Sequence, residues 1–362
     1  MDIKEALVDE NIPLNIPEGM LLHADLIDDY GILWQSKTSS PKEMEWVVSM
    51  TSQSMESVYI KKGIDPTLIS LKILDRGKIA SEMRVKQHYL SRGVRYEERG
   101  EGRIYYPATP LAKIGVIVMS GSGGGRPDTR AALLASRGFV AYALPYFRYG
   151  NLPPRLERIP LEYFQKAIEQ FRKEVDLVAL MGTSKGGEAA LLLGTFCHID
   201  KIVAYVPSCA TYGGFPRFHL PSWTYRGKDF PIAPIIVPSE VTRPIRATPF
   251  FLSAIDQIAS ARIPVEKIQC PLLVISGSDD QMWPSQIFGN KIKEKCPHAI
   301  HLTYEGAGHM IAPPYIPLTV TTIINPLDGN RYEMGGTLKP HLTACTDSWK
   351  HVLQFLSNPR VS

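Results

Sequence analysis

Two rhythms of apolar and polar positions divide the chain. Up to about residue 90 the pattern has a period of two. Leu22, Ala24 and Leu26 alternate with His23 and Asp25 until Asp28-Asp29-Tyr30-Gly31 interrupts. Ile69, Leu71 and Ile73 repeat the alternation up to Asp75-Arg76-Gly77, and Ile79, Met83 and Val85 resume it. Strands of this kind joined by Asp/Gly turns predict hairpins of an antiparallel sheet. A small β-sandwich over residues 1–92 is the natural assembly.

Beyond about residue 95 the rhythm becomes strand, helix, strand. Arg95-Tyr96-Glu97 and Arg103-Ile104-Tyr105-Tyr106 flank the Gly100–Gly102 turn as a hairpin. Ile114–Met119 is an unbroken apolar run, as expected of a strand covered on both faces of a parallel sheet. Val178–Met181, Lys201–Val206, Leu272–Ser276 and Phe139–Leu144 read the same way. Between them, Asp128–Ser136, Leu161–Arg172 and Lys185–Phe196 carry helical character. The second of these places Leu161, Phe164, Ala167, Ile168 and Phe171 on one face. The alternation predicts an α/β fold over residues 93–362, a doubly wound, mostly parallel sheet with right-handed crossovers. Residues 207–268 break the rhythm with Pro, Gly and scattered aromatics: Phe215, Phe218, Trp223, Phe230, Phe250 and Phe251. They read as an insertion over the carboxyl edge of the sheet, a lid or substrate wall.

Composition narrows the class. The 362 residues suit two domains better than one. With 44% apolar and 21% charged residues the chain has the make-up of a soluble globular enzyme. The net charge of +4 is spread thinly and no basic run points to nucleic acid. The first twenty residues carry acids and no apolar core, unlike a signal or transit peptide. No run approaches the roughly 20 apolar residues of a membrane span. Cys197, Cys209, Cys270, Cys296 and Cys345 are odd in number and form no CxxC pair. The expectation is reduced thiols in the cytoplasm, with no disulfide frame, zinc site or other metal.

The chemistry enters at Gly182-Thr183-Ser184-Lys185-Gly186, a G-x-S-x-G run between a buried strand and an apolar helix. A serine on such a turn stands above the sheet, and the flanking glycines let strand and helix backbones approach. Ser184 is the candidate nucleophile. A serine hydroxyl needs a positioned base, and in this arrangement the acid and then the histidine follow it in the chain. The strand at 272–276 ends in Gly277-Ser278-Asp279-Asp280. Asp279 and Asp280 compete for the acid, with Asp280 preferred because it lies on the far side of the turn. His301-Leu302-Thr303-Tyr304 then leads into Glu305-Gly306-Ala307-Gly308-His309. His309, on a glycine-bearing loop after the last strand, is the candidate base. His301 lies within the strand and His298 before it.

An oxyanion formed at Ser184 needs two backbone N–H donors. Lys185, the residue after the nucleophile, supplies one, and Ser122 or Gly123 in the Ser120–Gly125 run the other. Read instead as a phosphate loop, this run lacks the G-K-[ST] ending and the G-x-G-x-x-G spacing.

These stretches resemble the acyl-CoA thioesterase and bile acid-CoA:amino acid N-acyltransferase family. The likeness is carried by SGSGGGRPDTRAALLASRGFVAYALPYFRYGNLP (120–153), LEYFQKAI (161–168), MGTSKGGEAALLL (181–193), SGSDDQMWPS (276–285) and GAGHMIAPPYIPL (306–318). Gly335-Gly336 ahead of a closing helix adds to it. The resemblance implies an α/β-hydrolase domain behind an N-terminal β-sandwich, and a triad at Ser184, Asp280 and His309. It further implies an acyl-CoA substrate and no cofactor. Amino acid-conjugating members carry cysteine where this chain has Ser184, so water is the expected acyl acceptor. Arg126, Arg130 and Arg148, near the expected site, are candidates for CoA phosphates or plain surface arginines. The rivals are an ester or lactone hydrolase with the same triad, an acyltransferase to an amine, and an inactive hydrolase fold used for binding.

Overall fold

The structure, a computed structural model, describes residues 2–39, 44–52, 59–111, 113–214, 217–311, 313–318, 321–325 and 328–358. In the N-terminal part, β1 (Asp2–Leu7), β2 (Leu21–Ile27), β3 (Leu33–Thr38), β4 (Thr51–Ser52), β5 (Thr67–Asp75) and β6 (Lys78–His88) are joined by a single-turn helix α1 (Glu45–Val48). Among the described residues they form one six-stranded sheet in the order β1-β6-β5-β2-β3-β4, rather than two facing sheets. Leu22, Ala24 and Leu26 are buried as the alternation predicts, and so are Ile69, Leu71 and Ile73. Ile79 differs: it is 54% exposed. The register of β5 against β6 slips between Ile73 and Leu74, and a one-residue slip turns side chains to the opposite face.

The second part is built on eight strands. β7 (Arg95–Arg99) and β8 (Gly102–Tyr106) are the predicted hairpin. β9 (Ile114–Met119), β10 (Val140–Ala143), β11 (Leu177–Thr183), β12 (Lys201–Tyr205), β13 (Leu272–Gly277) and β14 (Ile300–Tyr304) follow. Their spatial order is β14-β13-β12-β11-β9-β10-β8-β7, parallel from β14 through β10, with β8 and β7 antiparallel at the far edge. The chain lays β10 on one side of β9, crosses to the other side for β11, and proceeds outward. This is the α/β-hydrolase fold. The crossover at β9 leaves a crevice off the carboxyl ends of β9 and β11, where ligands of open α/β sheets bind.

Helices cover both faces. α3 (Leu161–Phe171) and α4 (Lys185–Gly194) bury Leu161, Phe164, Leu191 and Leu193 in one core together with Trp223, Phe251 and Phe288. The five residues predicted for the inner face of α3 are the five that are buried. Within the insertion, Trp223, Phe250 and Phe251 are buried, the last two on the short helix α5 (Thr248–Leu252), while Phe218 and Phe230 are half-buried. Phe215 lies outside the described residues. The insertion is thus packed into the core by its aromatics. α6 (Ser285–Lys295) closes that face.

On the other face, α2 (Asp128–Ser136) and α7 (Leu338–Ser357) share a second core with the N-terminal sheet, from Leu22, Trp34 and Val85 through Leu134 and Tyr205 to Trp349. Polar contacts cross the same seam. Asp9 pairs with Arg137 and accepts the Trp349 indole N–H at 2.8 Å. Gln87 Nε2 donates to the Tyr315 carbonyl at 3.2 Å, and the Leu318 amide donates to the Val48 carbonyl at 3.1 Å.

Candidate active site

Ser184 is the single residue between β11 and α4. Its backbone sits at φ 55°, ψ −117°, a conformation that costs a non-glycine residue on the order of 1–3 kcal/mol. The neighbours hold it there. A Cβ on Gly182 would stand 2.1 Å from the Gly186 carbonyl oxygen, and one on Gly186 would stand 2.4 Å from the Ser120 carbonyl oxygen. Only glycines allow the strand, the helix and the loop after β9 to meet. The Ser184 amide donates to the Tyr205 carbonyl on β12 at 2.8 Å, and its carbonyl accepts the Glu188 amide at 2.9 Å. Among the described residues the Ser184 hydroxyl makes no hydrogen bond.

Asp280 and His309 form a buried pair. His309 Nδ1 lies 2.8 Å from Asp280 Oδ2, and the two residues are 8% and 4% exposed. Asp280 Oδ1 accepts the amides of Met282 and Trp283, at 3.0 and 3.2 Å. The carboxylate is therefore clamped on both oxygens. Asp279 faces elsewhere: it accepts the Gln281 side-chain amide at 2.6 Å and the Gly336 amide at 2.8 Å. Geometry thus separates the two neighbouring acids. The rival histidines are occupied as well. His301 bonds Ser276 Oγ at 2.7 Å, and burial lowers its pKa. His298 contacts the Cys270 carbonyl.

The His309 loop is held from behind by the chain that follows it. Its amide donates to the Met334 carbonyl at 2.7 Å, and the Gly308 amide donates to His341 Nε2 at 3.0 Å. His341, on α7, is 1% exposed, and desolvation keeps its pKa below the ordinary value. The Trp283 ring packs edge-on to the imidazole at 5.8 Å, and its indole N–H donates to the Val206 carbonyl at 3.0 Å. Val206 follows Tyr205, which holds the Ser184 amide. One chain of contacts therefore runs from Ser184 through the end of β12 to His309.

The loop after β9 covers Ser184. The Gly124 amide donates to the Gly121 carbonyl at 3.0 Å, closing a turn, and Tyr146 Oη donates to the Ser120 carbonyl at 2.7 Å. Gly121 abuts the serine: a Cβ there would stand 3.2 Å from Ser184 Cβ and 3.8 Å from Oγ. Gly123 is exposed, with nothing within 4 Å of where its Cβ would stand. Ser122, next to Gly121, is half-buried.

A buried polar cluster lies beneath the serine. Lys185 Nζ donates to Glu188 Oε1 and to the Tyr212 carbonyl, both at 2.7 Å. Glu188 also accepts Trp223 Nε1 and Ser208 Oγ, each at 2.6 Å. Burial lowers the Lys185 pKa and the Glu188 charge opposes that shift. Its mark in the sequence is a Lys and a Glu three residues apart in a helix otherwise made of Gly, Ala and Leu. The cluster fastens the insertion to the start of α4. The three arginines separate too. Arg126 is committed to Asp128 and Glu98, both at 2.7 Å, and Arg130 turns inward. Arg148 is exposed, 3.4 Å from the Gly123 carbonyl. Among the described residues no group of His, Cys, Asp and Glu is placed to hold a metal ion, and no helix is long and apolar enough to cross a membrane.

Comparison with known proteins agrees with this architecture. Residues 159–360 match the family model described as BAAT / Acyl-CoA thioester hydrolase C terminal. Acyl-coenzyme A thioesterase 1 of Homo sapiens is 29% identical over 358 residues, covering 91% of this chain and 79% of that protein. Its counterpart in Rattus norvegicus is 31% identical, covering 80% and 72%. Bile acid-CoA:amino acid N-acyltransferase of Mus musculus is 31% identical, covering 75% and 67%. The family match spans the serine turn, the insertion, the acid and histidine loops and the closing helix, and the relatives are similar over 75–91% of the chain. On both grounds the chain belongs to the BAAT/acyl-CoA thioester hydrolase family.

Proposed function

We propose that the protein hydrolyses acyl-CoA thioesters through Ser184, His309 and Asp280. The observation that carries this reading is the buried His309–Asp280 pair at the same sheet edge as a serine in the strained turn conformation. The fixed carboxylate holds the proton on Nδ1 of His309, leaving Nε2 to accept the serine proton. Ser184 Oγ bonds to the thioester carbonyl carbon while His309 Nε2 takes its proton. The carbonyl electrons move to oxygen, facing the Lys185 and Ser122 amides; Gly123, exposed and further along the turn, is the weaker candidate for the second donor. Collapse breaks the C–S bond, and CoA leaves as a thiol with the proton from His309. Water, deprotonated by the same imidazole, adds to the acyl carbon; the Ser184 Oγ–C bond breaks, His309 returns the proton to Oγ, and the acid leaves. The missing hydrogen bond on Ser184 fits a resting enzyme, in which such contacts tighten only with substrate bound.

An acyltransferase reading has support in the N-acyltransferase relative, but Ser184 stands where conjugating members have cysteine. The deciding experiment is a panel of acyl-CoAs of several chain lengths on wild type and Ser184→Ala, beside p-nitrophenyl esters, with glycine and taurine present or absent. Thioester turnover that falls by several orders of magnitude in Ser184→Ala, with free acid as product, supports the proposal. Brisk ester turnover with background thioester cleavage defeats it, and amide products would transfer the assignment to acyl transfer.

A further inference from the structure

Arg130 is a half-buried cation that the reaction just described does not use. It stands in the first turn of α2, the helix that follows the loop over Ser184. Its side chain runs inward rather than to solvent. The guanidinium lies 4.7 Å from the Tyr205 ring centroid, donates through Nη1 to Thr183 Oγ1 at 2.5 Å and through Nη2 to the Ile311 carbonyl at 3.4 Å. Among the described residues no carboxylate pairs with it, and desolvation pulls its pKa below the usual guanidinium value.

A charge drawn partly out of water with no opposite charge beside it opposes folding, and an apolar side chain of the same length would serve packing as well. What the guanidinium touches explains its place. Thr183 immediately precedes Ser184. Ile311 lies two residues after His309, and its amide donates to the His309 carbonyl at 3.0 Å. Tyr205 carries the carbonyl that holds the Ser184 amide. A planar fork of five donors is suited to bridging such separate acceptors, whereas an ammonium on a flexible stem is not. One side chain thus reaches from the loop over the serine to the segments bearing the nucleophile and the base.

We propose that Arg130 is a positioning residue that fixes the spacing of Ser184 and His309. This rests on the serine-hydrolase reading above. The test compares wild type, Arg130→Met, Arg130→Lys, Thr183→Val and the Arg130→Met/Thr183→Val double variant. Three readouts are taken: the rate of labelling by a fluorophosphonate probe, kcat and KM on an acyl-CoA, and Tm. Labelling needs the serine–histidine pair but not CoA recognition, so it reports on Arg130 even if the thioester is the wrong substrate. Arg130→Met is expected to lower labelling and kcat together by roughly 10- to 100-fold, the size of effect an ångström of misplacement produces. KM should hold and Tm should stay level or rise. Arg130→Lys is expected to recover only part of the rate. Thr183→Val should slow labelling too, and the double variant should be no slower than Arg130→Met. Labelling by folded Arg130→Met within twofold of wild type overturns the proposal. So does a lower Tm with an unchanged rate per labelled site, the signature of a purely structural role. A wild type that is not labelled overturns the serine reading and this one with it.

Discussion

Replacing Asp280 by Asn changes one acceptor into a donor, and the structure dictates which one. Oδ1 accepts the amides of Met282 and Trp283, a task only an oxygen can perform. The new amide nitrogen therefore takes the place of Oδ2, 2.8 Å from His309 Nδ1. A donor there requires Nδ1 to be bare, which moves the imidazole proton to Nε2. Nε2 then no longer accepts the serine proton, although the side chain has kept its shape. A wrong tautomer of this kind lowers kcat by about 10⁴ in a serine triad, or about 5 kcal/mol of barrier at 1.36 kcal/mol per decade. The assay follows CoA release with a thiol-reactive dye on protein checked for an intact fold. Asp279→Asn is the matched control, because its oxygens hold Gln281 and Gly336 rather than the imidazole. It should remain faster than Asp280→Asn by at least roughly a hundredfold. An Asp280→Asn enzyme keeping a tenth or more of the rate, beside a crippled Asp279→Asn, would refute the assignment of the acid.

Gly186→Ala pushes a methyl to within 2.4 Å of the Ser120 carbonyl oxygen; the loop over the serine must move, and fluorophosphonate labelling should be lost while circular dichroism stays native. Glu188→Ala leaves the Lys185 ammonium buried without its partner. The cost is about 3–5 kcal/mol, read as an earlier urea midpoint, and an unshifted midpoint would count against the cluster's role. The folded protein holds His341 below its ordinary pKa of 6.5, so the neutral ring is the native form. The unfolded chain binds the proton more readily; stability is full above about 6.5 and declines as pH falls through that value. His341→Gln keeps an acceptor for the Gly308 amide but removes the titration. It should flatten the fall of Tm between about pH 7 and 5, and an unchanged slope would argue that His341 titrates normally.

The parallel sheet was legible because its inner strands are covered on both faces and written as unbroken apolar runs, as Ile114–Met119 is. The inner face of α3 was legible for the same reason, since five apolar positions at helical spacing have one way to be buried. The serine turn was legible because close backbone approach leaves its mark as glycine. Side-chain direction was not. Asp279 and Asp280 are adjacent acids in one turn, and only the fold shows that one faces the imidazole and the other the Gly336 amide. The same holds for Arg126, Arg130 and Arg148, which spacing alone grouped together. Ile79 was misplaced because a slip in strand register carries no apolar signature. The approach of Gly121 to Ser184 was also invisible, since it depends on how two loops far apart in the chain are stacked.

The seam between the N-terminal sheet and the hydrolase sheet has a practical corollary. Every group assigned to the reaction lies beyond residue 120, yet the chain leaving His309 is tethered by Gln87 and Val48 through the Tyr315 carbonyl and the Leu318 amide. Trimming the protein at residue 92 would unmoor the far end of that segment and bare the flank of α7 around Trp349. The stretch holding Ser184, Asp280 and His309 is therefore not expected to stand alone; its His309 arm is braced from outside by one strand and one short helix of the N-terminal part.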